Sequence, residues 1–347
     1  MDAPNTLTVP TELDPIEGKS RRMVFVLVPE FTLLSFASAV ECLRIANRLA
    51  SNTLYEWTCV GEITERNIVT CSAGTEFRLD SDLIETHRDD TIVVCGGMNI
   101  KTNTTKRLLN WLRRESRKSL PVIGLCTAAY TLAKTGLLDG KRCTIHWENQ
   151  DSFLEEFEET ELTKSVFVID GKYMTTAGGT SSIDLFLKMI ANDHGDQLAN
   201  AVADQMIYSA IRTDQDTQRL SVPTRIGVRH PKLSQAIQMM ESNLEEPISP
   251  AILAKDVGMS TRQLERLFRR YLNRSPKRYY MELRLQKARN LLMQTDMSVI
   301  NVALACGFAS PSHFSKCYRA HYETTPYRER GARSSRLSEV AASRSSF

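Results

Sequence analysis

The sequence predicts two domains of different class: an α/β domain on a mostly parallel sheet, followed by an all-α domain with two helix-turn-helix units. Three observations predict it. Short apolar runs of strand length, RMVFVLVP (22–29), TIVVCGG (91–97) and PVIGLC (121–126), alternate with stretches of helical period over the first 210 residues. From Pro231 onward no strand-like run occurs. Within that second part the chain repeats itself: Ala254 and Gly258 recur as Ala303 and Gly307 at an offset of 49, and Ser260, Leu264, Phe268 and Pro276 recur as Ser310, Phe314, Tyr318 and Pro326 at an offset of 50. A chain of 347 residues is long enough for both domains.

Residues 1–20 are polar and acidic with no apolar core, which reads as a flexible leader and not as a secretory signal. Residues 21–211 form the α/β domain, a flavodoxin-like sandwich. After the first apolar run, FTLLSFASAVECLRIANRLA carries apolar residues at helical spacing, and YEWTCVG and NIVTCSAG follow. TKRLLNWLRRESRKS is an amphipathic helix with Leu108, Leu109, Trp111 and Leu112 on one side. TAAYTLAKTG is a helix, SVFVIDGKYMTTAGG a hairpin around Asp170 and Gly171, and SSIDLFLKMIAND and DQLANAVADQMIYSAI close the domain as helices. Residues 212–230 are polar, with Pro223 and Gly227 and no clear period, and read as a linker. Residues 231–330 make the helical domain, and the small, polar tail 331–347 reads as disordered.

Charge follows the same division. Residues 230–347 hold 19 Lys and Arg against 10 Asp and Glu, a net +9, while residues 1–229 carry a net −6. A basic part joined to an acidic one fits a polyanion partner. No stretch approaches 18 uninterrupted apolar residues, so no membrane span is predicted. The eight cysteines form no CxxC pair and no zinc spacing, so no metal or cofactor is called for, and a reducing cytoplasm is the simplest setting.

In the first repeat unit Ile252, Leu253, Val257, Leu264, Leu267 and Phe268 are spaced to bury one face of two helices, with Gly258 at a turn requiring positive φ. Ser260 is placed to cap the second helix. That helix then presents Thr261, Arg262, Gln263, Arg266, Arg269 and Arg270. Arginine and glutamine pair with guanine and adenine edges, so Arg262, Gln263 and Arg266 are the expected base contacts, with Arg269, Arg270 and Arg274 on phosphates. The second unit offers Ser310, Pro311, Ser312, His313, Ser315, Lys316 and Arg319. The long helix 276–295 between them holds the two readers apart, for successive major grooves about 34 Å apart. Ala254–Gly258, Leu264–Phe268, LRLQKARNLL, ALACGFASPSHFSKCYR and Thr325–Pro326 resemble the AraC-type DNA-binding domain over residues 231–328. The resemblance implies a transcription regulator of double-stranded DNA, commonly an activator.

In the α/β half, Cys126 lies at a strand-to-helix turn, G-x-C-x-A, the position of a nucleophile elbow. A helix N-terminus there is expected to lower its pKa. His146 follows, and Gly96 and Gly97 of CGGMN are expected to present backbone N–H groups toward the same cleft. The plain alternative is a buried small residue and a satisfied core histidine. This domain resembles the PfpI-like branch of the class I glutamine-amidotransferase fold. In that superfamily the matching cysteine, histidine and glycine pair are catalytic in some members, whereas the regulator branch senses small molecules. Enzyme-like members carry a glutamate on the first helix; FTLLSFASAV has no carboxylate before Glu41, which argues against hydrolysis. A cysteine-dependent amidase or deglycase and a redox switch at Cys126 remain the competing readings.

Across the whole chain FTLLSFASAVECLRIAN, VVCGGMNI, LLDG, HWE and NLEEPI resemble regulators of quaternary-amine catabolism, in particular glycine-betaine-responsive ones. That implies an amine effector of the glycine betaine, dimethylglycine or carnitine class. The amides around Gly97, Met98, Cys126 and Thr127 suit its carboxylate, and Trp147 beside His146, with Phe31, suits its cation. The family also implies a homodimer and a contact with RNA polymerase.

Overall fold

A computed structural model describes residues 20–63, 66–218, 222–227 and 230–331. Except for residues 20 and 331, the leader and the tail fall outside the described residues. The chain divides into two compact units, Met1–Gln218 and Arg219–Phe347.

The first unit is built on a six-stranded sheet: β1 (Arg21–Leu27), β2 (Tyr55–Val60), β3 (Thr91–Cys95), β4 (Val122–Leu125), β5 (Phe167–Asp170) and β6 (Tyr173–Thr176), in the order β2-β1-β3-β4-β6-β5. Five strands run parallel, and β5 pairs antiparallel with β6 across the hairpin expected at Asp170 and Gly171. Alternate residues of each parallel strand enter different cores. Met23, Phe25, Leu27, Val93, Cys95, Ile123 and Leu125 face the helices Leu33–Leu49, Ser181–His194 and Asp196–Gln205. Val24, Val26, Ile92, Val94 and Val122 face Lys106–Ser116 and Ala128–Lys134. A strand buried on both faces has no polar side, which is why these segments read as unbroken apolar runs. Each large side chain so buried contributes roughly 1.5–3 kcal/mol.

Register decides where a site can form. Leu27 pairs with Cys95, and Cys95 with Leu125, so β1, β3 and β4 end level. The segments that follow them meet at the carboxyl edge of the sheet, where open α/β sheets bind ligands.

The polar stretch expected as linker divides at Gln218. Arg212 pairs with the buried Asp184 at 2.7 Å. The Val166 N–H donates to Asp216 O, and the Gln218 amide donates to Thr144 Oγ1 at 2.8 Å and Ile145 O at 2.9 Å. Residues 212–218 therefore belong to the first unit, held by hydrogen bonds that leave no hydrophobic period to read. Val222–Ile226 is a helix whose Val222 joins the second core.

Every described regular element of the second unit is a helix. Ser249 and Ser298 cap corresponding helices, as do Ser260 and Ser310. Gly258 (φ +65°) and Gly307 (φ +72°) make the turns, and Asn273 and Glu323 end the second helices in the left-handed region. The repeat thus holds down to its caps. Among the described residues no helix is long and apolar enough to cross a membrane.

Glu115 is one carboxylate expected to make the first unit acid-sensitive. Glu115 is buried and accepts from the Thr86 N–H and hydroxyl, Arg114 and Lys118. Burial pushes its carboxyl up, but these donors outweigh burial and hold it at about 2. A depressed folded pKa contributes stability above the unfolded value of about 4.3, here about 3 kcal/mol, which is lost as pH falls toward 2. Glu115→Gln is expected to lower the urea midpoint at pH 7 and to flatten the loss between pH 4.5 and 2. Parallel acid limbs for both proteins would reject this assignment.

Candidate effector pocket and nucleic-acid interface

Cys126 follows β4 directly and has φ +61°, a left-handed conformation that strains any residue but glycine. Glycines make the turn possible. A Cβ on Gly178 would lie 2.6 Å from Cys126 Cβ, and one on Gly96 2.5 Å from the Ala128 nitrogen. Thr32 Oγ1 donates to Cys126 Sγ at 3.3 Å, and Thr127 Oγ1 donates to Gly97 O at 2.7 Å. Segments after β1, β3 and β4 are thereby joined at one point.

The expectation of an acidified thiol is corrected. Burial pushes Cys126 up, against hydrogen bonds from Thr32 and the Thr127 N–H, and the charge of Glu148 adds to burial. The helix behind it, Ala128–Lys134, is only seven residues long. Desolvation of a thiolate outweighs what so short a helix supplies. The helix Leu33–Leu49 has no carboxylate before Glu41, which pairs with Arg44; Thr32 sits on the sulfur, and Ser35 Oγ accepts from the Gly179 N–H at 2.8 Å.

Backbone pairing selects which amides are available. Phe31 and Gly97 face each other across an isolated bridge, in which Thr32 N–H donates to Gly96 O and Met98 N–H to Glu30 O. The Met98 amide is therefore occupied, and its side chain is exposed. Gly96 N–H donates to Leu125 O, which corrects its expected place toward the cleft: the sheet pairing takes it. Among the described residues the N–H groups of Gly97 and Cys126 donate to no protein acceptor.

Phe31 is a core residue, which corrects the expectation of a ring facing ligand. It is fully buried, edge-on to Phe36 and Phe77 with centroids 5.5 and 5.4 Å away. Trp147 opens a short turn, Trp147–Asn149, and is half-buried beside His146, their ring centroids 5.7 Å apart. Burial lowers the His146 imidazole against the opposing pull of Glu148. A residue the sequence reading missed is Glu30. Its backbone is left-handed (φ +62°), and its carboxylate accepts from Asn99 at 2.8 Å and Asn103 at 3.0 Å beside Gly97. Positive φ at a glutamate leaves no sequence signal.

In the second unit Leu264 and Phe268 are buried, so Thr261, Arg262, Gln263, Arg266, Arg269 and Arg270 are exposed on the helix Thr261–Leu272. Gln263 has a second role: its Oε1 accepts from Ser260 N–H at 2.8 Å while Ser260 Oγ accepts from Gln263 N–H, a capping box. This leaves its amide NH2 and one lone pair of Oε1 for a base. Arg274, expected on phosphate, pairs with Glu282 at 2.6 Å. In the second unit Ser310 caps the helix Pro311–Tyr322, whose Pro311, Ser312, His313, Lys316 and Arg319 are exposed. His313 Nε2 lies 3.4 Å from Cys317 Sγ. Arg262→Ala is expected to relax base preference at one position, about 1–3 kcal/mol, whereas Arg270→Ala weakens all sequences alike and reduces the salt slope by about 1. Equal losses on selected and random duplexes for both variants would reject this division.

Residues 21–192 match the DJ-1/PfpI family and residues 253–332 a helix-turn-helix domain. The HTH-type transcriptional regulator GbdR of Pseudomonas aeruginosa is 42% identical over 306 residues, 88% of this chain and 83% of that protein. CdhR of the same organism is 44% identical over 306 residues, covering 88% and 90%, and its ArgR is 36% identical over 330 residues, covering 91% and 94%. Identity of this order along both units, with a tandem reader behind a DJ-1/PfpI-like sheet, leaves one assignment: the chain belongs to the AraC-type, HTH-type transcriptional regulators that carry a DJ-1/PfpI domain ahead of the DNA reader.

Proposed function

We propose that the first unit binds a small zwitterionic amine of the glycine betaine, dimethylglycine or carnitine class, and that this effector turns the regulator into an activator of catabolic genes. The observation that carries the reading is the pair of unanswered N–H groups at Gly97 and Cys126, beside a thiol that burial keeps protonated. Two buried donors without an acceptor favour an anionic guest, and a neutral thiol does not repel a carboxylate. Trp147, half-buried next to His146, offers a π face to the cationic end, with Glu148 adding negative charge nearby. The ligand class rests on the sequence resemblance. Cys126 acts here as a wall and not as a nucleophile, and the protein is not an enzyme. Homodimer formation and a contact with RNA polymerase complete the reading.

Thermal-shift titration of the full chain tests it. At a hundredfold excess over Kd an effector stabilises its unit by about 2.7 kcal/mol, an upward shift of roughly 5–10 °C in a unit of this size. Trp147→Ala is expected to weaken glycine betaine roughly tenfold or more, and Cys126→Ala to leave effector-dependent transcription standing. No shift with any of the three compounds sinks the ligand class. Unchanged betaine affinity in Trp147→Ala sinks the placement of the cation, and loss of a measurable turnover in Cys126→Ala would return the enzyme reading.

A further inference from the structure

The two readers are held by different hardware. In the first, the turn at Gly258 is contacted by one lysine: Lys232 Nζ donates to Gly258 O at 2.8 Å, and a Cβ on Gly258 would meet nothing closer than that Nζ at 3.6 Å. In the second, the turn is enclosed. A Cβ on Gly307 would lie 2.7 Å from the carbonyl oxygens of Leu244 and Glu245. Arg284, from the long helix Pro276–Gln294, donates through Nε to Cys306 O at 2.7 Å and through its NH2 group to Gly307 O at 2.6 Å.

The same guanidinium lies over the Phe308 ring, 4.1 Å from its centroid. Phe308 in turn contacts His313 and Phe314, with centroids 6.0 and 5.0 Å away, in the first turn and a half of the second recognition helix. Arg284 is thus joined through one buried ring to the residues that start that helix. One turn earlier on the same helix, Tyr280 reaches the first half: its OH accepts from Ile248 N–H at 3.3 Å and donates to Asn243 O. Two adjacent turns of one helix therefore tie the loop of the first reader to the turn of the second. A planar fork holding two carbonyls while stacked on a ring fixes direction as well as distance, which a lysine does not.

We infer that Arg284 is the positioning residue that sets how the second recognition helix is presented relative to the first, and so the spacing of the two half-sites that the domain reads. This rests on the reading that both recognition helices enter DNA. Arg284 itself touches turn carbonyls and a buried ring, and has no part in base contact.

The test is in vitro selection from a random duplex library with the full chain, wild type against Arg284→Met, with footprinting of the selected duplexes. Wild type is expected to select two half-sites about one helical turn apart. Arg284→Met is expected to keep the first half-site and to lose base preference or fixed spacing in the second, with affinity for the bipartite duplex falling on the order of tenfold. Affinity for a duplex carrying the first half-site alone should not change. Should Arg284→Met fold poorly, Arg284→Lys and Phe308→Leu remove the fork and the ring separately and are expected to affect the same half-site. A wild-type spacing and motif in these variants overturns the role of Arg284, as does equal weakening of both half-sites, the mark of a purely structural residue. A wild-type motif with a single half-site overturns the two-reader reading and this inference with it.

Discussion

Replacing Gly97 with alanine is expected to lower the melting transition of the first unit by roughly 10 °C and to abolish its response to effector. A Cβ there would lie 2.0 Å from Glu30 O, 2.7 Å from the Thr32 nitrogen and 2.8 Å from the Phe31 carbonyl carbon. All three are backbone atoms, so no side chain can rotate away. The bridge must open, which removes the hydrogen bonds from Thr32 to Gly96 and from Met98 to Glu30, each 3.0 Å. Two lost bonds at about 1 kcal/mol each and an overpacking cost of about 1–3 kcal/mol give about 4 kcal/mol. The same opening moves Thr32 off the Cys126 sulfur and turns the Gly97 N–H away. Gly74 is the control: its φ is +81°, yet a Cβ there meets nothing within 4 Å, so Gly74→Ala should cost only about 1 kcal/mol. Calorimetry of both variants decides it, and a Gly97→Ala transition within a few degrees of Gly74→Ala would refute the argument.

The second large effect separates two glycines that the sequence makes equivalent. Gly258 and Gly307 occupy the same place in the repeat, and both have positive φ. Alanine at Gly258 meets only Lys232 Nζ at an ordinary 3.6 Å and carries only the left-handed penalty, about 1 kcal/mol. Alanine at Gly307 carries the same penalty and also strikes the Leu244 and Glu245 carbonyls and Pro247 Cδ, for a total of about 3 kcal/mol. In a domain of about a hundred residues this is roughly 15 °C against roughly 5 °C in the transition of the second unit. DNA affinity should follow, with Gly307→Ala losing the second half-site first. Equal shifts for the two variants would show that the loop 244–247 yields easily.

How far the site was legible follows from what kind of contact makes it. The strand-to-helix turn at Cys126 was readable, because a small residue between a buried strand and a helix is a local pattern, but of the Gly96–Gly97 pair only Gly97 keeps an N–H off the sheet. Phe31 was misplaced because an aromatic after a strand looks alike whether it points into the core or the cleft. Glu30 was invisible, since its role comes from a left-handed backbone and two asparagines some seventy residues away. Residues 212–218 looked like linker because their attachment is Arg212 on Asp184 and Gln218 on carbonyls, and hydrogen bonds between distant segments have no period.

The sequence by itself determined the two-unit architecture, the parallel sheet, the tandem reader with its caps and turn glycines, and the exposed arginines of its first recognition helix. Periodicity, capping and turn chemistry act over a few residues, so they are written locally. Tertiary structure alone decided that burial pushes the Cys126 thiol up, that among the described residues the amides of Gly97 and Cys126 meet no protein acceptor, that Gln263 serves a cap, and that two matching turns differ in how closely they are enclosed. Each of these depends on desolvation or on steric contact between segments far apart in the chain. Those quantities exist only once the chain has folded.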